Sequence, residues 1–192
     1  MIFFTFDFGK VFGKLLENYK IMKKLSLLFA FSTLLFLGHS QTEEKHENTG
    51  KKIPSVSLKN MAGKTVNTAD LGIKGPIVIS FWATWCAPCK KELNAIQEVY
   101  EDWQEETGVT LVAVSVDDEK TKSRVPVDVN GKGWDYVILM DPNGDFKRAM
   151  GVNNVPHTFL IDKDGNIVYS HNNYAPGDEE KLYQEIKKLS GK

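Results

Sequence analysis

Pro76-Ile77-Val78-Ile79-Ser80-Phe81-Trp82 leads, after Ala83-Thr84, into Trp85-Cys86-Ala87-Pro88-Cys89-Lys90. The first run is apolar and rich in branched side chains, the composition of a buried strand. The second run holds the only two cysteines of the chain. Beyond it, Leu93, Ile96, Val99, Tyr100 and Trp103 recur at steps of three and four. That spacing predicts a helix across residues 90–107 with one buried stripe. A strand thus delivers Cys-x-x-Cys to the start of a helix. Two thiols so placed can close into a disulfide, and the helix N-terminus favours the first sulfur, expected to face solvent, as a thiolate.

Other uses of the pair fit the chain less well. A structural zinc site wants four ligands, often two such pairs. There is no second pair, and His39, His46, His157 and His171 lack ligand-like spacing. No metal or other cofactor is therefore expected. An inert disulfide across so short a loop would remove little chain entropy. Redox chemistry at Cys86 and Cys89 is the reading that remains.

The rest of the chain alternates strands and helices, which predicts an α/β fold with a mixed sheet. Asn60-Met61-Ala62-Gly63 sits between two short strand-like runs and marks an N-terminal hairpin. Gly108 is placed to cap the helix, and residues 109–116 form a second buried strand. Residues 117–132 are charged and expected to start as a helix that Pro126 ends or bends. Residues 136–140 suit a short strand, Asp141-Pro142-Asn143-Gly144 a turn and residues 145–150 a brief helix. Residues 158–161 and 167–169 pair around Lys163-Asp164-Gly165-Asn166, and Asp178 is expected to cap a last helix with Leu182, Tyr183, Ile186 and Leu189 inward.

Three stretches in this order resemble the thioredoxin superfamily, and within it the exported TlpA/ResA-like thiol-disulfide reductases. They are Phe81-Trp82-Ala83-Thr84-Trp85-Cys86-Ala87-Pro88-Cys89-Lys90-Lys91-Glu92, the strand at 111–117 with the insertion after it, and Val155-Pro156-His157-Thr158-Phe159-Leu160-Ile161-Asp162. The resemblance spans residues 52–189. It implies a three-layer fold: a mixed central sheet flanked by helices, an N-terminal β-hairpin and a central insertion. It also implies a cis peptide before Pro156, with Val155 and Pro156 presenting backbone to an extended substrate strand. The implied catalytic residues are Cys86 as nucleophile, Cys89 as the resolving thiol and Glu92 as a proton-exchange group one helical turn beyond Cys89. Trp85 is a candidate for docking partners. His157, beside the loop, is a weaker candidate for tuning the thiolate, and Lys90 and Lys91 are expected to face solvent.

Two positions depart from the family pattern. Ser80 stands where thioredoxins proper carry a buried Asp, and Asn94 where the TlpA/ResA-like branch tends to have a helix-kinking proline. The implied partners are protein disulfides or dithiols and a membrane thiol reductant, and reduction of a Cys-x-x-Cys-His haem site in cytochrome c maturation is one family role. Poise in such folds runs from about −270 to about −120 mV, so the fold alone sets no direction. The rivals are a peroxiredoxin-like peroxide reductase, which would use an isolated cysteine, and a non-catalytic peptide-binding module.

The 192 residues carry 42% hydrophobic and 26% charged side chains, enough for one good core, and a formal net charge of −1. That balance argues against a nucleic-acid partner. Lys23-Lys24 precede an apolar stretch of 13 residues, 25–37, followed by Gly38-His39-Ser40. This reads as an export signal cleaved before Gln41, with a membrane tether through 25–37 as the alternative. Residues 1–21 suggest an over-called start, with translation beginning at Met22. Residues 41–52 read as a flexible linker and 53–192 as the thioredoxin-like domain, exported to the periplasm.

Overall fold

The computed structural model describes residues 50–191. The start at Met22, the apolar stretch 25–37, the cleavage site before Gln41 and the linker up to residue 49 all lie outside the described residues. Within the rest of the linker, Lys51 O accepts from Ile167 N (2.9 Å), and at the first residue of the domain Ile53 N donates to Gly165 O (2.9 Å).

Among the described residues, seven strands form one mixed sheet: β1 (Ser57–Asn60), β2 (Thr65–Asn67), β3 (Ile77–Trp82), β4 (Thr110–Ser115), β5 (Val137–Met140), β6 (His157–Ile161) and β7 (Ile167–Asn172). Their order is β2-β1-β5-β4-β3-β6-β7. Strands β3, β4 and β5 run parallel, while β6 joins β3, β7 joins β6 and β1 joins β5 antiparallel. The helices are α1 (Ala87–Gln97), α2 (Tyr100–Thr107), α3 (Val125–Lys132), α4 (Asp145–Ala149) and α5 (Asp178–Ser190), with a 3-10 turn at Lys122–Arg124. The expected α/β fold, N-terminal hairpin and central insertion are all present.

Both faces of the sheet are covered. One packs Val78, Trp82, Ala113 and Leu160 against Leu93 and Ile96 of α1, Tyr100 and Trp103 of α2, Val125 and Val129 of α3, and Leu182 and Ile186 of α5. The other packs Ile79, Phe81, Val112, Val114 and Phe159 against Phe146 of α4, with Ile53, Val56, Leu71 and Ile73 at its margin. Alternation in β3 sends even-numbered residues to the first face and odd-numbered ones to the second.

Three local expectations need correction. The predicted helix 90–107 is interrupted: Val99, at φ −125° and ψ 3°, leaves the helical region between α1 and α2. No proline or glycine marks the break. Tertiary contacts account for it, because the bend lays Tyr100 against Tyr136 (centroids 5.0 Å) and lets its hydroxyl accept from Leu111 N (2.8 Å). Pro126 opens α3 instead of ending a helix, since the first helical turn has no use for its missing N–H. Gly177, not Asp178, is the N-cap of α5. Asp178 sits in the first turn, where a carboxylate suits the dipole, and accepts from Ala175 N (2.7 Å).

Candidate active site

Strand β3 ends at Trp82, and a turn closed by Cys86 N donating to Ala83 O (3.0 Å) swings the chain into α1. Cys86 is the N-cap of α1, with extended backbone, and its Sγ accepts from Cys89 N at 3.3 Å. Pro88 sits in the first turn, where a proline is preorganised for the helix. Cys86 and Cys89 form a disulfide with Cα atoms 5.4 Å apart. The expectation that the first sulfur faces solvent needs correction: in the disulfide Cys86 is only 4% exposed, beside Cys89 at 0%. The indole of Trp85, 61% exposed, is what the loop turns outward.

A buried carboxylate holds this loop from beneath. Asp117, just past β4, accepts from Thr84 N (2.8 Å), Thr84 Oγ1 (2.6 Å) and Ser115 Oγ (2.9 Å). Lys90, expected to face solvent, is half-buried and donates to Thr84 O (2.7 Å), with Asp128 of α3 at 3.5 Å. The insertion thereby reaches the cysteine loop. In sequence Asp117 carried no signal beyond its place after a strand.

The Val155-Pro156 peptide is cis. Strand β6 then starts with His157 opposite Phe81, so Pro156 lies beside Trp82, at the end of β3 that feeds the cysteines. Pro156 is buried and Val155 half-buried. The His157 ring stacks on Phe159 (4.3 Å), on the face away from Glu92.

Glu92 is 1% exposed. It is pinned between α1 and a polar row that crosses three strands, in which Ser80 pairs with Thr158 and Thr158 with His171. Thr158 Oγ1 donates to Glu92 Oε1 (2.8 Å) and lies 3.1 Å from Ser80 Oγ. His171 Nε2 stands 2.9 Å from the same Oε1. Glu92 Oε2 is buried with no hydrogen-bond partner among the described residues. Burial, followed by the charges of Tyr100 and Glu92, pushes the Tyr136 phenol far up. Burial and the Glu179 hydrogen bond push Tyr174 up to about 12. In the sequence His171 shows only a lack of ligand-like spacing, and nothing local places it beside Glu92, 79 residues away.

With this geometry in hand, the chain can be set beside known proteins. The model of the AhpC/TSA family matches residues 49–170. A protein of Bacillus cereus named thiol-disulfide oxidoreductase ResA is 32% identical over 181 residues, covering 88% of this chain and 99% of that protein. The solution structure of an uncharacterized thioredoxin-like protein from Porphyromonas gingivalis is 50% identical, with TM-score 0.66, covering 72% of this chain and 92% of that one. A putative thiol:disulfide interchange protein DsbE from Chlorobium tepidum is 28% identical, with TM-score 0.63 and coverage of 76% and 99%. The chain belongs to the AhpC/TSA family of thioredoxin-like proteins, in the company of the ResA thiol-disulfide oxidoreductases.

Proposed function

We infer that this protein is a thiol-disulfide oxidoreductase that reduces disulfides of exported proteins. The observation that carries the reading is the Cys86–Cys89 disulfide at the N-terminus of α1. In the dithiol form, the Cys86 thiolate attacks one sulfur of a partner disulfide. A Cys86–partner bond forms and the partner's other sulfur leaves as a thiolate. The Cys89 thiol gives its proton to Glu92 and attacks Cys86 Sγ. The internal disulfide closes and the partner departs as a dithiol, reduced by two electrons. A thiol reductant of the membrane then restores Cys86 and Cys89.

The exposed Trp85 and the cis loop at Val155 and Pro156 form the docking surface for an extended partner segment. Residues 23–40 direct export to the periplasm, and a Cys-x-x-Cys-His haem site awaiting cytochrome c maturation is the substrate class. The adjacent cysteine pair favours this reading over a peroxide reductase.

The test is insulin reduction by dithiothreitol. The wild type is expected to accelerate it, Cys86→Ser to fall to background, and Cys89→Ser to accumulate mixed disulfides. A wild-type rate equal to background would leave a peptide-binding module. Faster alkylation of Cys89 than of Cys86 would reverse the assigned roles.

A further inference from the structure

We propose that His171 is a positioning residue of the redox site: its Nε2–H engages Glu92 Oε1 and thereby leaves Oε2 as the base for the Cys89 thiol. The proposal rests on the reading of Glu92 as the proton acceptor and extends it to a residue on another strand.

The first support is hydrogen-bond chemistry. Two nitrogen and oxygen atoms 2.9 Å apart need a hydrogen between them, and a carboxylate has none to give. With Glu92 ionised, Nε2 carries the hydrogen and is the donor. Nδ1 is buried and makes no hydrogen bond among the described residues. The second support is the sharing of the carboxyl. Oε1 takes both Thr158 and His171, while Oε2, equally buried, takes neither. Oxygens loaded so unequally cannot exchange places by a turn of the carboxyl without losing both bonds.

The third support is position. Cys89 precedes Glu92 by three residues on α1, so both lie on one helix face. In the disulfide the Cys89 sulfur carries no hydrogen. Reduction creates an S–H donor one turn from a buried oxygen that has no donor. In resolution, the Cys89 S–H bond breaks, its proton goes to Oε2, and its electron pair forms the bond to Cys86 Sγ while the Cys86–partner S–S bond breaks and its pair leaves on the partner sulfur as a thiolate. The proton then leaves with the departing partner thiolate or to water.

The titratable groups facing the pair are Cys89 from α1, Tyr136 from before β5, Tyr169 from β7 (centroid 5.9 Å from the His171 ring) and Tyr174 after β7, with Glu179 and Asp178 of α5 behind Tyr174. Tyr136 and Tyr174, both pushed up, supply no negative charge near neutral pH.

The experiment follows resolution of a preformed Cys86 mixed disulfide by stopped flow across pH. Glu92→Gln is expected to slow it about a hundredfold and to remove the carboxyl inflection. His171→Phe is expected to slow it about tenfold and to move that inflection to higher pH, because a donor to the charged form has been lost. His171→Gln keeps an N–H donor and is expected to restore the wild-type inflection. If Glu92→Gln matches the wild type, the reading of Glu92 falls, and this proposal with it. If Glu92→Gln loses the inflection while His171→Phe keeps it unmoved, the proposal alone is overturned. A second measurement needs no variant: the His171 ring titration, followed by NMR, is expected to differ between oxidised and reduced protein. Superimposable titrations overturn the proposal even where His171→Phe fails to fold.

Discussion

On one face of the central sheet, Ile79, Phe81, Val112, Val114, Leu139, Phe159 and Ile161 form one apolar cluster, with the His157 ring stacked on Phe159 at its edge. On the other, Ser80, Ser115, Thr158 and His171 stand among Val78, Trp82, Ala113 and Leu160. Both faces are covered and buried. A buried polar group gains nothing over an apolar one unless it is fully bonded, and then only modestly. The hydroxyls, the Glu92 carboxyl and Asp117 are all gathered on the face that α1 covers, the helix that begins at the disulfide. One face therefore carries stability and the other pairs stability with chemistry.

The most severe test of that division removes a large side chain from the apolar face. Phe81 is 0% exposed, with ring centroids 5.2 Å from Phe146 and 6.0 Å from Phe159. Phe81→Ala is expected to cost about 3–5 kcal/mol, read from the urea midpoint. The alkylation rate of Cys86 in the molecules that remain folded should not change. A changed rate would mean that the two faces are not separable.

Asp117→Ala sharpens the comparison from the other side. It strands Thr84 N–H and two hydroxyls in a buried site, at about 2–3 kcal/mol. Thr84 lies two residues before Cys86, so the Cys86 alkylation rate is also expected to change. A stability loss of this size with an unaltered rate would make Asp117 a packing residue only.

How far these assignments could be read in the chain differs between the two faces. The apolar face was legible, because the short, β-branched run at 77–82, apolar but for Ser80, reads as a strand buried on both sides, and the run at 109–116 as a second. Cys86, Cys89, Glu92 and Pro156 came from local spacing together with family resemblance. His171 did not: the strand expected at 167–169 stops short of it, whereas β7 runs on to Asn172, and one extra residue also hides the face it takes. Ile161 pairs with Ile167, but Leu160 pairs with Tyr169, so Val168 is extra. Counted outward from the turn without it, Thr158 would face Ser170, and His171 would stand on the apolar side. The break at Val99 was hidden for a related reason: the tertiary partners Tyr136 and Leu111 bend the helix, and no local breaker does. Asp117 was hidden because its donors, Thr84 and Ser115, belong to two different segments.

The smallest expected effect lies at the far end of the same sheet, in the turn that joins β6 to β7. Asp162 Oδ1 accepts from the Asp164 and Asn166 amides (2.9 and 2.8 Å), and Oδ2 from Asn166 Nδ2 (2.9 Å). Partial burial pushes its carboxyl up, but those hydrogen bonds and nearby Lys52 outweigh it and hold the group below the ordinary carboxylate range. A depressed carboxyl contributes stability above its unfolded value, about 3.9, and loses it as pH falls through the lower folded value. With solvent screening the charge, Asp162→Ala is expected to cost at most about 1 kcal/mol at neutral pH through the lost hydrogen bonds, and the gap from wild type should narrow in acid. Insulin reduction and the Cys86 alkylation rate should match wild type at every pH. The turn also anchors Lys51 and Ile53 through Ile167 and Gly165, bonds that Asp162→Ala leaves in place, so a gap that persists in acid would assign the loss to the hydrogen bonds that a neutral Asp162 side chain still makes and not to its charge.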